Sequence, residues 1–312
     1  MGVVVPTYNH VHTLAEAIES ILAQSRSPDE ILVVDDGSTD GTKKLVRGFG
    51  RRVRYLYQDN RGLSAARNTG IQASTADWVC FLDADDLWEP NKLKLQVEFI
   101  RTIDAAIGCV YTRYVIQAPS FRTLSPIPPN KGALTLPNLL RRNWIGVLTV
   151  AARRDLLLDL GGFDEDLYAT QDWDLWLRMA AIDVQFAYLP QPLAIYRISE
   201  GSMHLDAERM EIDGTRMLSK FFTRVDLPFS PTRRNRLERL ARAGFYVQLS
   251  WQCVATRQRG RSLSYLWKAL VAWPMVVLRI EMLGVVVRLS LGTRLYSVIR
   301  ELRRRTGNRE SS

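Results

Sequence analysis

In the segment Trp78-Val79-Cys80-Phe81-Leu82-Asp83-Ala84-Asp85-Asp86, five consecutive apolar residues run straight into a cluster of three carboxylates. A short unbroken apolar run predicts a strand buried on both faces, the kind found inside parallel sheets. The carboxylates then fall on the turn beyond its carboxyl end. The flanking segments fit the same scheme. Val3-Val4-Val5 is followed by a capping-box spacing, Thr13-Leu14-Ala15-Glu16, which predicts a helix to about Gln24. Ile31-Leu32-Val33-Val34 ends in the turn cluster Asp35-Asp36-Gly37-Ser38, ahead of a short helix from Thr42. Val53 to Tyr57 predicts a third strand, Gly62 to Ala73 a helix, and Pro90 the start of another. Strands and helices alternating at this spacing predict an α/β fold, a mostly parallel central sheet flanked by helices. Ligands of such sheets bind beyond the carboxyl ends of the strands, where Asp35-Asp36 and Asp83 to Asp86 both lie.

The 312 residues are 46% hydrophobic and 24% charged, enough for a core that needs no covalent staples. Cys80, Cys109 and Cys253 are an odd, widely spaced set with no CxxC pair. That argues against a disulfide framework or structural zinc and for buried thiols in a reducing compartment. Met1-Gly2-Val3-Val4-Val5 meets Pro6 with no basic segment before it, so no signal peptide is expected. The charge is asymmetric. Residues 1–208 hold 21 basic and 26 acidic side chains, a net of −5, whereas 209–312 hold 21 and 7, a net of +14. The expected division is a domain at 1–208 and a helical, basic region at 209–312. Within the first, the Pro-rich stretch 117–137 predicts a long loop.

Each candidate residue has a chemical and a plain reading. Asp-x-Asp on a turn beyond a buried strand suits a hard cation, which takes one or two carboxylates plus substrate phosphates; the plain reading is a solvated turn. Asp36 could hydrogen-bond a ribose or base, or simply cap its turn. Tyr8 could stack on a base, or be an ordinary loop aromatic. Arg67 could neutralise a diphosphate, or form a structural salt bridge. The three histidines form no HxH or HExxH pattern, and GxSxG, GxxxxGK[ST] and GxGxxG after a strand are all missing. A serine hydrolase, a P-loop NTPase and a Rossmann dehydrogenase are thereby excluded.

Four blocks appear in a fixed order: Val3-Val4-Val5-Pro6-Thr7-Tyr8-Asn9, Val33 to Thr42 around Asp35-Asp36-Gly37-Ser38, Gly62-Leu63-Ser64-Ala65-Ala66-Arg67-Asn68, and Phe81 to Asp86. Together they resemble the signature of the family 2 inverting glycosyltransferases over roughly residues 2 to 200. The resemblance implies a GT-A nucleotide-diphospho-sugar transferase fold, with a nucleotide-sugar half at about 1–116 and an acceptor half at about 117–208. It implies a nucleotide-sugar site from Pro6, Thr7, Tyr8, Asp36, Gly62, Arg67, Asp83 and Ala84, with Asp85 holding Mg²⁺ or Mn²⁺. It places a catalytic base at Asp172 in Gln171-Asp172-Trp173-Asp174, where Gln171 replaces the family's usual Glu. Without the resemblance, Asp172 and Asp174 are helix N-terminal acids. Trp173 and Arg197 become acceptor-side candidates. Two residues beyond Arg197 stands Ser199, where many relatives have His.

The implied activity is metal-dependent transfer from a nucleotide-diphosphate sugar, a UDP-sugar by preference, to a hydroxyl of a glycan or lipid-linked acceptor in cell-surface polysaccharide or glycolipid synthesis. The alternative is an inactive sugar-nucleotide-binding or scaffold protein of the same fold. In the basic region, the apolar runs Ala269–Leu278 and Met282–Val287 are too short to span a bilayer. With Trp267, Lys268, Trp273, Arg300 and Arg303 to Arg305 nearby, they suit an interfacial helix on an anionic membrane as well as a packed helical hairpin. The expected location is cytoplasmic, peripheral at the inner face of the plasma membrane. Nucleic acid is not an expected partner, since the arginines interleave with apolar runs and no binding module is present.

Overall fold

The computed structural model describes residues 1–129, 134–198, 206–224, 227, 229–256, 258–278 and 285. Ser199, most of the run Met282–Val287, and Arg300 to Arg305 lie outside the described residues.

Val3, Val4 and Val5 sit in strand β1 (Gly2–Thr7), every residue of which is buried. It pairs in parallel with β2 (Glu30–Asp35) and β4 (Trp78–Phe81), and β2 pairs in parallel with β3 (Arg54–Tyr57). The side chains alternate across this sheet as a period of two requires. Val3, Val5, Ile31, Val33, Cys80 and Leu82 join one core cluster with Leu14, Ile18 and Ile21 of helix α1 (Val11–Leu22) and Val46 of α2 (Thr42–Gly48). Val4 faces the other way, against α3 (Leu63–Ala73). There Gly70 allows close approach, because a Cβ at that position would overlap the Val4 side chain.

Beyond β4 the pairing becomes mixed. The sheet order is β3-β2-β1-β4-β8-β6-β9-β5. Here β5 is Leu87–Trp88, β6 is Ile107–Ala118, β8 is Ala151–Arg153 and β9 is Gln185–Arg197. β8 is antiparallel to β4 and β6, and β5 is antiparallel to β9, while β6 and β9 are parallel. The Pro-rich stretch is less of a loop than its composition predicts. β6 continues to Ala118 and pairs with β7 (Phe121–Leu124) across a Pro119-Ser120 turn. The β-prone Phe121, Thr123 and Leu124 outweigh the prolines, which are confined to turns and flanks. Helix α4 (Lys92–Ile100) carries an unexpected feature, a fully buried Lys92. Its Nζ donates to Gln96 Oε1 at 2.7 Å and lies 4.0 Å from the Trp88 ring centre. Burial pulls its pKa down to about 8.

Two compact units are present. One comprises residues 1–139, 143–202 and 219–227, the other 140–142, 203–218 and 228–312. The first contains the sheet together with α6 (Arg154–Asp159) and α7 (Gln171–Ala181). Helices α5 (Leu136–Arg141) and α8 (Ala207–Arg224) run through both. In the second, α9 (Pro231–Ala255) starts at Ser230, whose hydroxyl caps Arg233 N, with Pro231 in the first turn. It packs on α10 (Arg259–Ala272), where the buried hydroxyls of Ser250 and Ser262 meet at 2.8 Å. Among the described residues no helix is long and apolar enough to cross a membrane. All three cysteines are free and buried.

Candidate active site

The parallel register brings Thr7, Asp35-Asp36 and the turn after Phe81 to one rim of the sheet. The β1–α1 and β2–α2 loops are stitched together there. Asn9, at φ 55°, accepts Thr39 N at 2.8 Å and donates its own N–H to Ser38 Oγ at 2.9 Å. Asp35 is the turn cap, accepting Ser38 N at 2.8 Å and the Tyr55 hydroxyl at 2.6 Å. Asp36 is 3% exposed and accepts three bonds: Gln58 Nε2 at 2.6 Å, Arg61 N at 2.9 Å and Gly62 N at 2.8 Å. It therefore fixes the entry to α3, where Gly62 adopts φ 92°, a conformation that favours glycine. Tyr8 stands 47% exposed at the rim, and Pro6, Thr7 and Ala84 are buried behind it.

Asp36 thereby orients α3, and α3 carries Arg67 inward. Arg67 is 2% exposed, and its Nη2 reaches both oxygens of Asp83, at 2.7 and 2.9 Å. Its guanidinium also lies 5.2 Å from the centre of the Phe163 ring. Asn68, the next residue, donates to Phe163 O at 2.9 Å and accepts Phe163 N at 2.8 Å. It thus clamps the Gly161-Gly162-Phe163 loop, where both glycines have positive φ. Arg178 holds the same loop through Gly162 O at 2.6 Å while bonded to Asp174 at 2.8 Å.

The acidic turn is held from the far end of the sheet. Leu87 pairs with Ile195, so antiparallel register brings Arg197 level with Asp85. Arg197 donates its backbone N–H to Asp86 Oδ1 at 2.9 Å, its Nε to the Asp85 carbonyl and its Nη1 to Glu16. Asp86 is fully buried, and its carboxyl is pushed well up by burial and then by Asp83 and Asp85. Asp85 is only partly buried, and among the described residues no other side chain hydrogen-bonds its carboxylate. Its pKa is also raised, by burial first and Asp83 second.

Asp172 lies in the first turn of α7. Its Oδ2 accepts Asn143 Nδ2 at 3.1 Å and its Oδ1 accepts Trp173 N at 2.6 Å. Burial lifts its pKa to about 6, against the opposing charge of Arg67, while Asp83 adds a smaller upward push. The charges of Arg67 and Asp83 both bear on Asp172, so the base candidate shares one electrostatic neighbourhood with the acidic turn. Trp173, expected on the acceptor side, sits in the core instead. It is 3% exposed and gives its indole N–H to Leu139 O at 2.7 Å.

Among the described residues, most buried side-chain polar atoms without a hydrogen-bond partner lie on these segments: Thr7 Oγ1, Ser64 Oγ, Arg67 Nε, Asp86 Oδ2, Gln171 Oε1 and Arg197 Nη2. Native proteins leave few such atoms, and each calls for an explanation; a polar ligand at this rim supplies one. The donor set also fits a hard divalent cation. Partly exposed Asp85 with Asp83 beside it is the one-or-two-carboxylate arrangement that substrate phosphates complete, and among the described residues no three-ligand protein cage exists. Asn68, Asn143 and Arg178 were not singled out in the sequence. Their partners are 95, 29 and 16 to 18 residues away, and only Arg178 has a local signal, its four-residue spacing from Asp174.

The family model for glycosyl transferase family 2 matches residues 2–157, and the chain belongs to that family. Among relatives, the Escherichia coli UDP-Glc:alpha-D-GlcNAc-diphosphoundecaprenol beta-1,3-glucosyltransferase WfgD is 31% identical over 211 residues, covering 65% of this chain and 79% of WfgD. An uncharacterized glycosyltransferase of Rickettsia conorii is 33% identical over 57% of this chain, which spans only 31% of that relative's length. The fold is GT-A. The mannosyltransferase PcManGT of Pyrobaculum calidifontis, solved with GDP-Man and Mn2+, matches with a TM-score of 0.61 at 22% identity, over 95% of this chain and 81% of that one. Staphylococcus aureus TarS 1-349 in complex with UDP-GlcNAc matches with a TM-score of 0.59 at 17% identity, over 88% and 91%.

Proposed function

We propose that this chain transfers a glycosyl group from a nucleotide-diphosphate sugar to an acceptor hydroxyl, with inversion, in cell-envelope polysaccharide or glycolipid synthesis. The observation that carries this reading is the shared neighbourhood of Arg67, Asp83 and Asp172 beside the partly exposed carboxylate of Asp85. In the reaction, Asp172 removes the proton of the acceptor hydroxyl as the oxygen attacks the anomeric carbon from the face opposite the diphosphate. A carboxylate with a pKa near 6 suits that role, being ionised at neutral pH yet more basic than a free one. Arg67 supplies fixed positive charge toward the leaving diphosphate. Asp85 would hold Mg²⁺ or Mn²⁺, which supplies Lewis-acid stabilisation of that leaving group when bound. Thr7, Tyr8 and Asp83 face the nucleoside, and Asp36 acts on it through the Gly62 turn it fixes. Arg197 serves the site by holding the acidic turn in place.

WfgD's name records a UDP-glucose donor and a lipid-diphosphate acceptor. For this chain a UDP-sugar is the first donor to test, with a lipid-linked or free glycan acceptor on the cytoplasmic side of the plasma membrane. Residues 1–208 are assigned the chemistry. The test is a screen of UDP-, GDP- and dTDP-sugars for nucleoside diphosphate release, with Mg²⁺ or Mn²⁺ and with chelator. Metal-dependent release from one donor class supports the reading. Silence with every donor, or equal release in chelator, removes it.

A further inference from the structure

Helix α10 turns an apolar face to water. Its Ser262, Tyr265, Leu266 and Ala269 are buried, while Leu263, Trp267 and Val271 recur every four residues at 58%, 68% and 64% exposure. Met275, in the short 3-10 turn that follows, is 58% exposed as well. A helix that merely covers a core directs polar residues outward. Here, beyond Arg259 and Arg261 in the first turn, the polar residues that reach water are Ser264 and Lys268, and Lys268 is tied to Glu211. A contiguous apolar stripe of this kind marks a docking surface.

The charges beside the stripe identify the occupant. α9 and α10 together hold eight basic residues against one acidic, Glu238. Arg261 and Lys268 are paired with Glu208 and Glu211. Arg236, Arg239 and Arg259 are exposed and form no ion pair with any described residue. Arg236 and Arg239 spread over the Trp273 ring, at 5.8 and 5.7 Å from its centre, where α10 ends. A second copy docked through this face would set the same unpaired cations against one another. An anionic lipid surface instead accepts the apolar side chains at the acyl boundary and the arginines at the headgroups. The 14 residues of α10 are too few to span a bilayer.

We propose that the Leu263-Trp267-Val271 face of α10, with Met275, lies in the surface of an anionic bilayer, flanked by Arg236, Arg239 and Arg259. The contact is separate from the reaction, and its readout needs neither donor nor acceptor.

The test is co-sedimentation of the full chain with phosphatidylcholine vesicles, with and without phosphatidylglycerol, at low and high salt. Binding should require phosphatidylglycerol and weaken with salt. Trp267→Ser with Val271→Ser should weaken it about tenfold or more, and Arg236→Gln with Arg239→Gln should reduce the preference for the anionic lipid. All four side chains are exposed, but Arg239 also donates to Ala272 O at 2.9 Å, so circular dichroism of both variants will check that the helices keep their structure. Three results overturn the proposal: no binding to any vesicle; stripe variants that bind like the parent, which would assign binding to residues 279–312; or a parent dimer by light scattering that the stripe variant makes monomeric.

Discussion

Replacing Asp172 with asparagine should make the protein more stable and nearly inactive, and the two effects have one cause. Burial raises the Asp172 carboxyl from 3.8 to about 6, equivalent to roughly 3 kcal/mol. Because the folded pKa lies above the unfolded one, this group's favourable contribution is fully present below pH 3.8 and lost as pH rises through about 6. At neutral pH the native state therefore carries an ionised carboxylate at a cost of up to about 3 kcal/mol. Asparagine has the same shape and never ionises, but Asn143, which donates to Asp172 at 3.1 Å, must reorient to accept from it. A net gain of about 1–3 kcal/mol at pH 7.5 is expected, falling toward zero near pH 4. Urea unfolding at the two pH values measures it. Transfer should drop by about 10²–10⁴ with the base gone, while kcat/KM of the parent rises with pH through about 6 and levels off. A variant destabilised at pH 7.5, or stabilised equally at both pH values, would refute the burial argument. Undiminished transfer would refute the base assignment.

Arg67→Met removes the partner of Asp83 and the cation that favours ionised Asp172. It should cost about 3 kcal/mol in unfolding, and should move the acidic limb of the kcat/KM profile of any residual activity to higher pH. Lys92→Met tests the buried ammonium. With its pKa lowered to about 8, Lys92 contributes stability that is present above pH 10.5 and lost as pH falls through 8. The parent should therefore gain stability between pH 8 and 10.5, and the variant should lack that gain in denaturant titrations. Gly70→Ala places a methyl group against Val4 under α3 and should lower stability by about 1–3 kcal/mol, as thermal melts will report.

The nucleotide half was the legible part of the chain. Val3 to Val5, Ile31 to Val34 and Trp78 to Leu82 are apolar runs that can only be central strands, and the acidic clusters at their ends follow from parallel register. What escaped sequence reading depends on distant partners. The spacing of Thr13 and Glu16 predicts a local helix cap, yet α1 begins two residues earlier because Asp40, 29 residues away, accepts Val11 N at 3.0 Å, while Glu16 turns to Arg197. Asp36 invited a ligand role by its position, and most of its capacity goes into the Arg61-Gly62 turn. Trp173 stood beside the base in sequence, but helical geometry carries the next residue around the axis and into the core. Arg197 was legible as a candidate. Its grip on the acidic turn was not, because it arises from the Leu87–Ile195 pairing across 108 residues.

Calorimetric titration of nucleoside diphosphate in Mn²⁺ and in chelator decides whether the acidic turn holds the donor independently of Asp172. The chain itself should be compared with its Asp85→Asn and Asp172→Asn variants. Binding should depend on Mn²⁺, be lost in Asp85→Asn and be kept in Asp172→Asn. Equal binding in chelator, or an Asp85→Asn variant that binds like the parent in Mn²⁺, would contradict this role of the acidic turn.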